Sequence, residues 1–178
     1  MGKVVLGFIL GVVAVFVVVY GYFATGSAPV ATSAQPMPFE KKFANMALHA
    51  KVEKEMPKTV PIQADEATYL AGAQAYKEHC AVCHGLQEGD QTAIAKGMFP
   101  KPPKLLQGKG VTDDEPGETY WKVDNGIRMT GMPGFGKALS SIQMWQVSLL
   151  LANADKLPPS VKASLTAAPA VPQAESKK

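Results

Sequence analysis

The chain has few side chains that bind metals through sulfur or imidazole. Its 178 residues include two cysteines and three histidines. A structural zinc site needs two pairs of such ligands, but there is no second cysteine pair, and His49 and His79 are poorly placed to supply one. A dithiol redox pair is expected between a strand and a helix, a setting that the surrounding pattern does not offer. Both sites are therefore disfavoured.

Both cysteines belong to one motif, Cys80-Ala81-Val82-Cys83-His84. Two thiols at this spacing can add to the two vinyl groups of one haem, and the histidine that follows can bind its iron. The motif predicts one covalently bound haem c, attached through Cys80 and Cys83. It also predicts His84 as an axial ligand of the iron.

Charge is absent from Val4 to Thr25, a run of 22 residues. At ~1.5 Å per residue a helix of this length spans ~33 Å, enough to cross a bilayer. The run predicts a transmembrane anchor over residues 1–25, and Lys3 favours a cytoplasmic N-terminus with the rest of the chain exported. The alternatives are a cleaved signal peptide, although a secretory apolar region is usually ~7–15 residues long, and a buried core helix, although so continuous an apolar run has no polar face.

Residues 26–64 are predicted to form a linker or stalk. The segment from Gly26 to Pro38 is rich in Pro, Ala and Ser, a composition typical of extended linkers. The next segment has the spacing of a short amphipathic helix over Phe39 to Met56, with an apolar side formed by Phe39, Phe43, Met46 and Ala50. Three positions for this helix stay open: on its own domain, along a membrane, or on a partner subunit.

The folded block is predicted to span residues 65–158. Asp65 can cap a helix that runs to the haem motif, and Gly72 inside that helix indicates a close crossing by another helix. Ser141 to Ala152 is the expected counterpart, with Trp145 as a core residue. Residues 159–178 are Pro/Ala-rich and predicted to be disordered.

A proline-rich loop follows the motif, ending at Pro103-Lys104-Leu105. A metal-bound histidine usually donates its second ring N–H to a carbonyl or carboxylate. Pro103 is a candidate to offer that carbonyl to His84, and a plain rigid turn is the alternative. His79, beside Cys80, is predicted to lie on the surface.

Two methionines stand on a Gly/Pro-rich loop that follows a short helix over Thr119 to Gly126. A thioether on such a loop can bind iron from the side opposite His84. Met132, between a glycine and a proline, is the favoured axial ligand and Met129 the runner-up. Either methionine can instead fill a gap in the core.

Together these features resemble a class I cytochrome c. A helix leads into the Cys80–His84 motif, and a Pro-x-Leu loop at Pro103, a Gly-Met-Pro loop at Met132 and a helix around Trp145 follow. The resemblance covers residues 65–158 and is greatest to bacterial membrane-anchored monohaem cytochromes. It implies a small all-α fold wrapped around one haem, preceded here by a transmembrane helix. It also implies axial ligation by His84 and Met132 and an electron carrier rather than an enzyme.

The function that we expect is electron transfer by a membrane-tethered carrier in a bacterial respiratory or related redox chain. The haem domain would face the periplasm from the cytoplasmic (inner) membrane. Expected partners are a quinol-oxidising complex, a terminal oxidase or a periplasmic reductase, and the chain is either a shuttle or a fixed subunit of such a complex. The alternative is a haem sensor or redox-enzyme subunit with a displaceable sixth ligand.

The distribution of charged residues gives limited information on binding partners. Residues 65–156 contain nine Lys/Arg and eleven Asp/Glu, a net charge of −2, which disfavours nucleic acid. A basic loop, comprising Lys96, Lys101, Lys104 and Lys109, precedes an acidic stretch from Asp113 to Glu118. These charges either steer a redox partner or form ordinary solvated faces.

Overall fold

The computed structural model describes residues 1–86, 91–107 and 113–166. Within these ranges the chain forms eight α-helices and no strands, which confirms the predicted all-α class. It divides into two compact units, Met1–Asn45 and Met46–Lys178. The helices are α1 Gly2–Ala24, α2 Glu40–Glu55, α3 Glu66–His79, α4 Ala81–His84, α5 Ala93–Gly97, α6 Pro116–Asn125, α7 Ser141–Ala152 and α8 Pro159–Thr166.

The first unit contains α1, a helix of 23 residues with none buried. Among the described residues it is the one helix whose length and apolar composition suffice to cross a membrane. A signal sequence meets the same two criteria. The prediction of an apolar N-terminal helix is confirmed, and its role as an anchor stays a proposal.

The core of the second unit is the crossing of α3 and α7. Asp65 caps α3 by accepting a hydrogen bond from the Thr68 N–H at 2.8 Å. At the crossing, a Cβ on Gly72 would overlap the carbonyl oxygen of Gln146 and lie 2.8 Å from its carbonyl carbon. Only glycine lets the backbones approach this closely, so the predicted crossing is confirmed.

A second helix pair, α6 and α7, closes the other side of this unit. The rings of Tyr120 and Trp145 stack with centroids 4.3 Å apart, and Trp145 is buried as predicted. Val123, Leu139 and Met144 form a small buried cluster between these elements. The loop that follows α6 packs on this cluster.

The predicted boundary at residue 158 is wrong. α8 begins at Pro159, and its Val161 and Leu165 are fully buried in the same cluster as Tyr76 and Leu150. Proline is well suited to the first position of a helix because no N–H is needed there, and residues four apart lie on one helix face. Because the segment is rich in Pro and Ala, its sequence does not reveal this apolar helix face. Residues 167–178 lie outside the described residues.

The predicted apolar side of the helix over residues 39–56 is exposed in the structure. Phe43 and Met46 are 59% and 58% exposed, whereas Val52 and Met56 are buried. The second unit therefore starts before the predicted residue 65, because the end of α2 and the turn after it pack on their own unit.

Two contacts fasten this turn to α6. The indole N–H of Trp121 donates to a carboxylate oxygen of Glu55 at 3.3 Å. A Cβ on Gly117 would overlap the carbonyl oxygen of Pro57. The sequence left three positions open for this helix: on its own domain, along a membrane, or on a partner subunit. The C-terminal end of the helix packs on its own domain.

We predict that Gly72→Ala destabilises the protein by about 2–4 kcal/mol, because the added methyl meets backbone that cannot move aside without separating α3 from α7. Urea unfolding of the full chain measures this. Gly97→Ala is the matched control, since nothing lies within 4 Å of its Cβ position. Equal stability of the two variants would contradict the proposed role of the crossing.

Candidate functional site

A cavity of about 520 Å³ lies in the second unit. Its wall includes the end of α3, α4, residues 98–105, α6, residues 130–135 and α7. All five predicted site residues contribute to it: Cys80, Cys83, His84, Pro103 and Met132. Much of the remaining wall is apolar, including Val82, Pro100, Pro102, Leu105, Phe135, Val147 and Leu151.

A single helical turn presents the motif side chains to the cavity. The N–H groups of Cys83 and His84 both donate to the carbonyl oxygen of Cys80, at 3.1 and 2.9 Å. Gly85, with φ 76°, ends the turn. The hydroxyl of Tyr76 donates to the Gly85 carbonyl at 2.8 Å, and burial raises the pKa of Tyr76, so the hydroxyl remains a donor. The turn is thus fixed to α3.

His84 is oriented by a backbone carbonyl. Its Nδ1 lies 2.8 Å from the carbonyl oxygen of Pro103. A carbonyl can only accept, so Nδ1 carries the proton and Nε2 keeps its lone pair. Burial lowers the pKa of His84, and the Pro103 hydrogen bond opposes this shift. At pH 7 the ring is therefore neutral, the form in which histidine binds metals.

The segment before Pro103 is itself fastened to the motif. The hydroxyl of Thr92 donates to the carbonyl of Val82 at 2.6 Å. The side-chain amide of Gln91 donates to the carbonyl of Pro102 at 2.8 Å. The backbone that holds His84 is therefore anchored at its start and at its end.

The two thiols are unpaired and partly buried. Burial, and to a smaller extent Cys83, raises the pKa of Cys80 to about 12. Within the described ranges no group of three or more His, Cys, Asp or Glu side chains is arranged to hold a metal ion.

Hydrogen bonds hold the backbone of Met132 on both sides. Its carbonyl accepts from the Ile127 N–H at 3.1 Å, and its N–H donates to the Thr130 hydroxyl at 3.1 Å. That hydroxyl donates in turn to the Ile127 carbonyl at 2.7 Å. Met129 differs, since it is 92% exposed and does not line the cavity.

Glycines allow this loop to return along the end of α6. Gly126 has φ 69°, and a Cβ there would lie 2.5 Å from the backbone nitrogen of Gly134. The N–H of Phe135 then donates to the Val123 carbonyl at 2.8 Å. The glycines of the loop thus allow its backbone to lie close to the end of α6. This close approach brings Met132 to the cavity.

Met98 and His79 line the cavity, and neither was predicted as a site residue. Met98 packs on Gly131, where a Cβ would lie 2.6 Å from its Cε atom. The ring centroid of His79 lies 6.0 Å from that of Phe135, and the His79 side chain is 34% exposed, in agreement with the predicted surface position. Both depend on the loop after α6 approaching from more than thirty residues along the chain, and no local pattern indicates that approach.

The predicted acidic stretch is partly neutralised within the unit. Lys122 forms ion pairs with Asp114 at 3.2 Å and with Glu118 at 2.6 Å. Lys101 and Lys104 of the predicted basic loop line the cavity, whereas Lys109 lies outside the described residues. These ion pairs leave less acidic charge available for steering a partner.

The cavity fits the haem that the motif implies. Its volume lies within the range of roughly 300–1,000 Å³ found for cofactor and ligand pockets. Two thiols, a neutral imidazole with a bare nitrogen and a thioether share a mainly apolar wall. These are the groups that attach haem c and bind its iron, and their assignment as attachment sites and ligands stays a prediction.

Comparison with known proteins found a matching family model and a similar solved structure. Residues 67–149 match the family model described as "Cytochrome C oxidase, cbb3-type, subunit III". A chain of the Kuenenia stuttgartiensis reducing HAO-like protein complex Kustc0457/Kustc0458 is similar at 27% identity, with a TM-score of 0.46. That match covers 57% of the present chain and 52% of the other, so about half of the other's length is matched. No match was found among curated proteins.

We predict that Gly126→Ala destabilises the protein by about 3 kcal/mol or more, because the methyl meets backbone atoms and the residue has a positive φ. Gly85→Ala shares the positive φ but has nothing within 4 Å, so about 1–2 kcal/mol is expected. Urea unfolding of both variants separates contact from backbone strain. If Gly126→Ala lowers the free energy of unfolding by less than Gly85→Ala does, the backbone contact at Gly126 does not contribute to stability.

Proposed function

We propose a function from the premise that residues 67–149 form a class I c-type cytochrome domain, and such a domain binds haem and transfers electrons. In our proposal Cys80 and Cys83 attach one haem c, and His84 and Met132 bind its iron. When bound, the haem supplies one-electron exchange between ferric and ferrous iron. The observation that carries the proposal is that all four side chains line one cavity.

The role of the protein is to hold these groups still. Pro103 keeps His84 in one tautomer and one orientation. The hydrogen bonds of Ile127 and Thr130 fix the backbone of Met132. Ligands that keep their positions in both oxidation states favour electron transfer, and the apolar wall limits the access of water. Thioether ligation also raises the reduction potential relative to two imidazoles.

We further propose that α1 is a retained membrane anchor and that the haem domain works in the periplasm at the inner membrane. The length and apolar composition of α1 support an anchor, and Lys3 supports this orientation. Tethering confines the search for partners to the membrane surface and raises their effective concentration.

The partners proposed are respiratory. The matched family is described as a subunit of a cytochrome c oxidase, which supports an oxidase as electron acceptor or as the complex that contains this chain. A quinol-oxidising complex is the corresponding donor, and a periplasmic reductase is the alternative acceptor. The chain is then an electron carrier or an electron-transferring subunit in a bacterial respiratory chain.

The first test of this proposal is the sixth ligand. Met132→Ala is expected to abolish the methionine–iron charge-transfer band of the ferric protein and to lower its reduction potential, because the thioether is lost. Met129→Ala is the matched control and is expected to change neither. Absorption spectra and redox titration of the purified haem protein measure both effects.

An unchanged spectrum in Met132→Ala would exclude Met132 as the ligand. Binding of carbon monoxide to the unsubstituted ferrous protein would favour the alternative function, a sensor or enzyme with a displaceable sixth ligand. A closed electron carrier is expected to bind carbon monoxide only after Met132 is removed.

The second test concerns the anchor. The full chain, produced with its haem in a bacterial host, is expected in the membrane fraction and to resist salt washing, because α1 buries apolar residues in the bilayer. A version with residues 1–25 replaced by a cleavable signal peptide is the control and should be soluble in the periplasm. Recovery of the unsubstituted protein as a soluble form that begins beyond residue 26 would overturn the anchor.

A further inference from the structure

Met98 is the residue that contacts the tip of the Met132 loop. The three atoms nearest to a Cβ placed on Gly131 all belong to Met98: Cε at 2.6 Å, Sδ at 3.1 Å and Cγ at 3.6 Å. Met98 is partly buried and lines the same cavity as Met132. Its side chain therefore rests on the residue directly before Met132.

Met98 belongs to the segment that orients His84. This segment is fastened to the motif through Thr92 and the Val82 carbonyl, and it ends at the Pro103 carbonyl that contacts His84. Between these two attachments the chain brings Met98 to Gly131. One piece of backbone thus contacts both sides of the proposed iron site.

In the part of the chain that the structure describes, the hydrogen bonds of the Met132 loop lie within the loop and at its base. Ile127, Thr130 and Met132 bond to one another, and Phe135 bonds to Val123 at the base. They define the shape of the loop and hold its C-terminal side to α6. The three atoms nearest to a Cβ on Gly131 all belong to Met98, so the Met98 side chain restricts movement of the tip toward it.

We infer that Met98 is a positioning residue for Met132, acting through Gly131. The inference rests on the proposed ligation by His84 and Met132. An unbranched, adaptable side chain fills such an irregular gap well. Glycine at position 131 lets the terminal atoms of Met98 reach the loop backbone. Without Met98 the tip gains room to move, and the thioether of Met132 leaves the iron more often.

The experiment uses the purified ferric haem protein and imidazole, which competes for the sixth position. Loss of the methionine–iron charge-transfer band reports the displacement of Met132. Met98→Ala is expected to speed displacement about tenfold, the effect of losing roughly 1.4 kcal/mol of packing on the loop. Met98→Leu refills the space and is expected to remain within about twofold of the unsubstituted protein.

Gly131→Ala tests whether the contact is direct. The added methyl displaces the flexible end of Met98 or the loop, so faster displacement is expected for this variant as well. In the double variant the methyl enters space that Met98 has vacated. The combined effect is therefore expected to be smaller than the product of the single effects, as for residues in contact. If the rate increases of the two single variants simply multiply in the double variant, a direct contact between Met98 and Gly131 is excluded.

Met56→Ala controls for general loss of stability. Met56 is buried in the same unit and does not line the cavity, so this variant should lower the urea midpoint without speeding imidazole binding. The inference would be overturned if imidazole displaced Met132 as fast in Met56→Ala as in Met98→Ala. It would also be overturned if Met98→Ala did not change the rate of displacement.

Failure of the proposed function gives a different result. If the unsubstituted ferric protein lacks the charge-transfer band, ligation by Met132 is excluded, and the inference falls with it. If Met98→Leu loses the band while Met132→Ala keeps it, Met98 is the ligand and not a positioning residue. If Met98→Ala shows a normal charge-transfer band and an unchanged rate of displacement by imidazole, the positioning role of Met98 is rejected while ligation by Met132 stands.

Discussion

The close approach of α3 and α7 at Gly72 is the constraint on which the site depends. Because no side chain separates the two backbones there, α3 lies directly on α7 and its last residue stands beside the cavity. The motif turn starts at that end, and Val147 and Leu151 of α7 also form part of the cavity wall. A wider crossing would move the thiols and His84 away from the residues that complete the cavity.

The two proposed iron ligands are held by similar means although they come from different parts of the chain. A backbone carbonyl orients the ring of His84, and backbone and hydroxyl groups fix Met132. Neither arrangement uses a charged side chain. Lys122, which lines the cavity, forms ion pairs with Asp114 and Glu118. The site therefore combines neutral supports with an apolar wall.

The sequence predicted those parts of the molecule that depend on local chemistry. The motif turn, the Asp65 cap and the glycine at the helix crossing follow from residue types at short spacing, and each has the expected local structure. The places of Met98 and His79 in the cavity wall were not predictable, because both depend on a loop that returns from beyond residue 126. α8 was missed for a different reason: two buried residues within a Pro/Ala-rich segment are too few to show a periodic pattern.

The position of α8 sets an order of events during synthesis. Val161 and Leu165 complete the cluster around Tyr76, and the Ser160 hydroxyl donates to Glu66 at the start of α3. The cluster around Tyr76 therefore lacks two of its buried residues until the chain has been made to about residue 165. During that interval Cys80 and Cys83, the proposed attachment residues, belong to a domain whose core is incomplete.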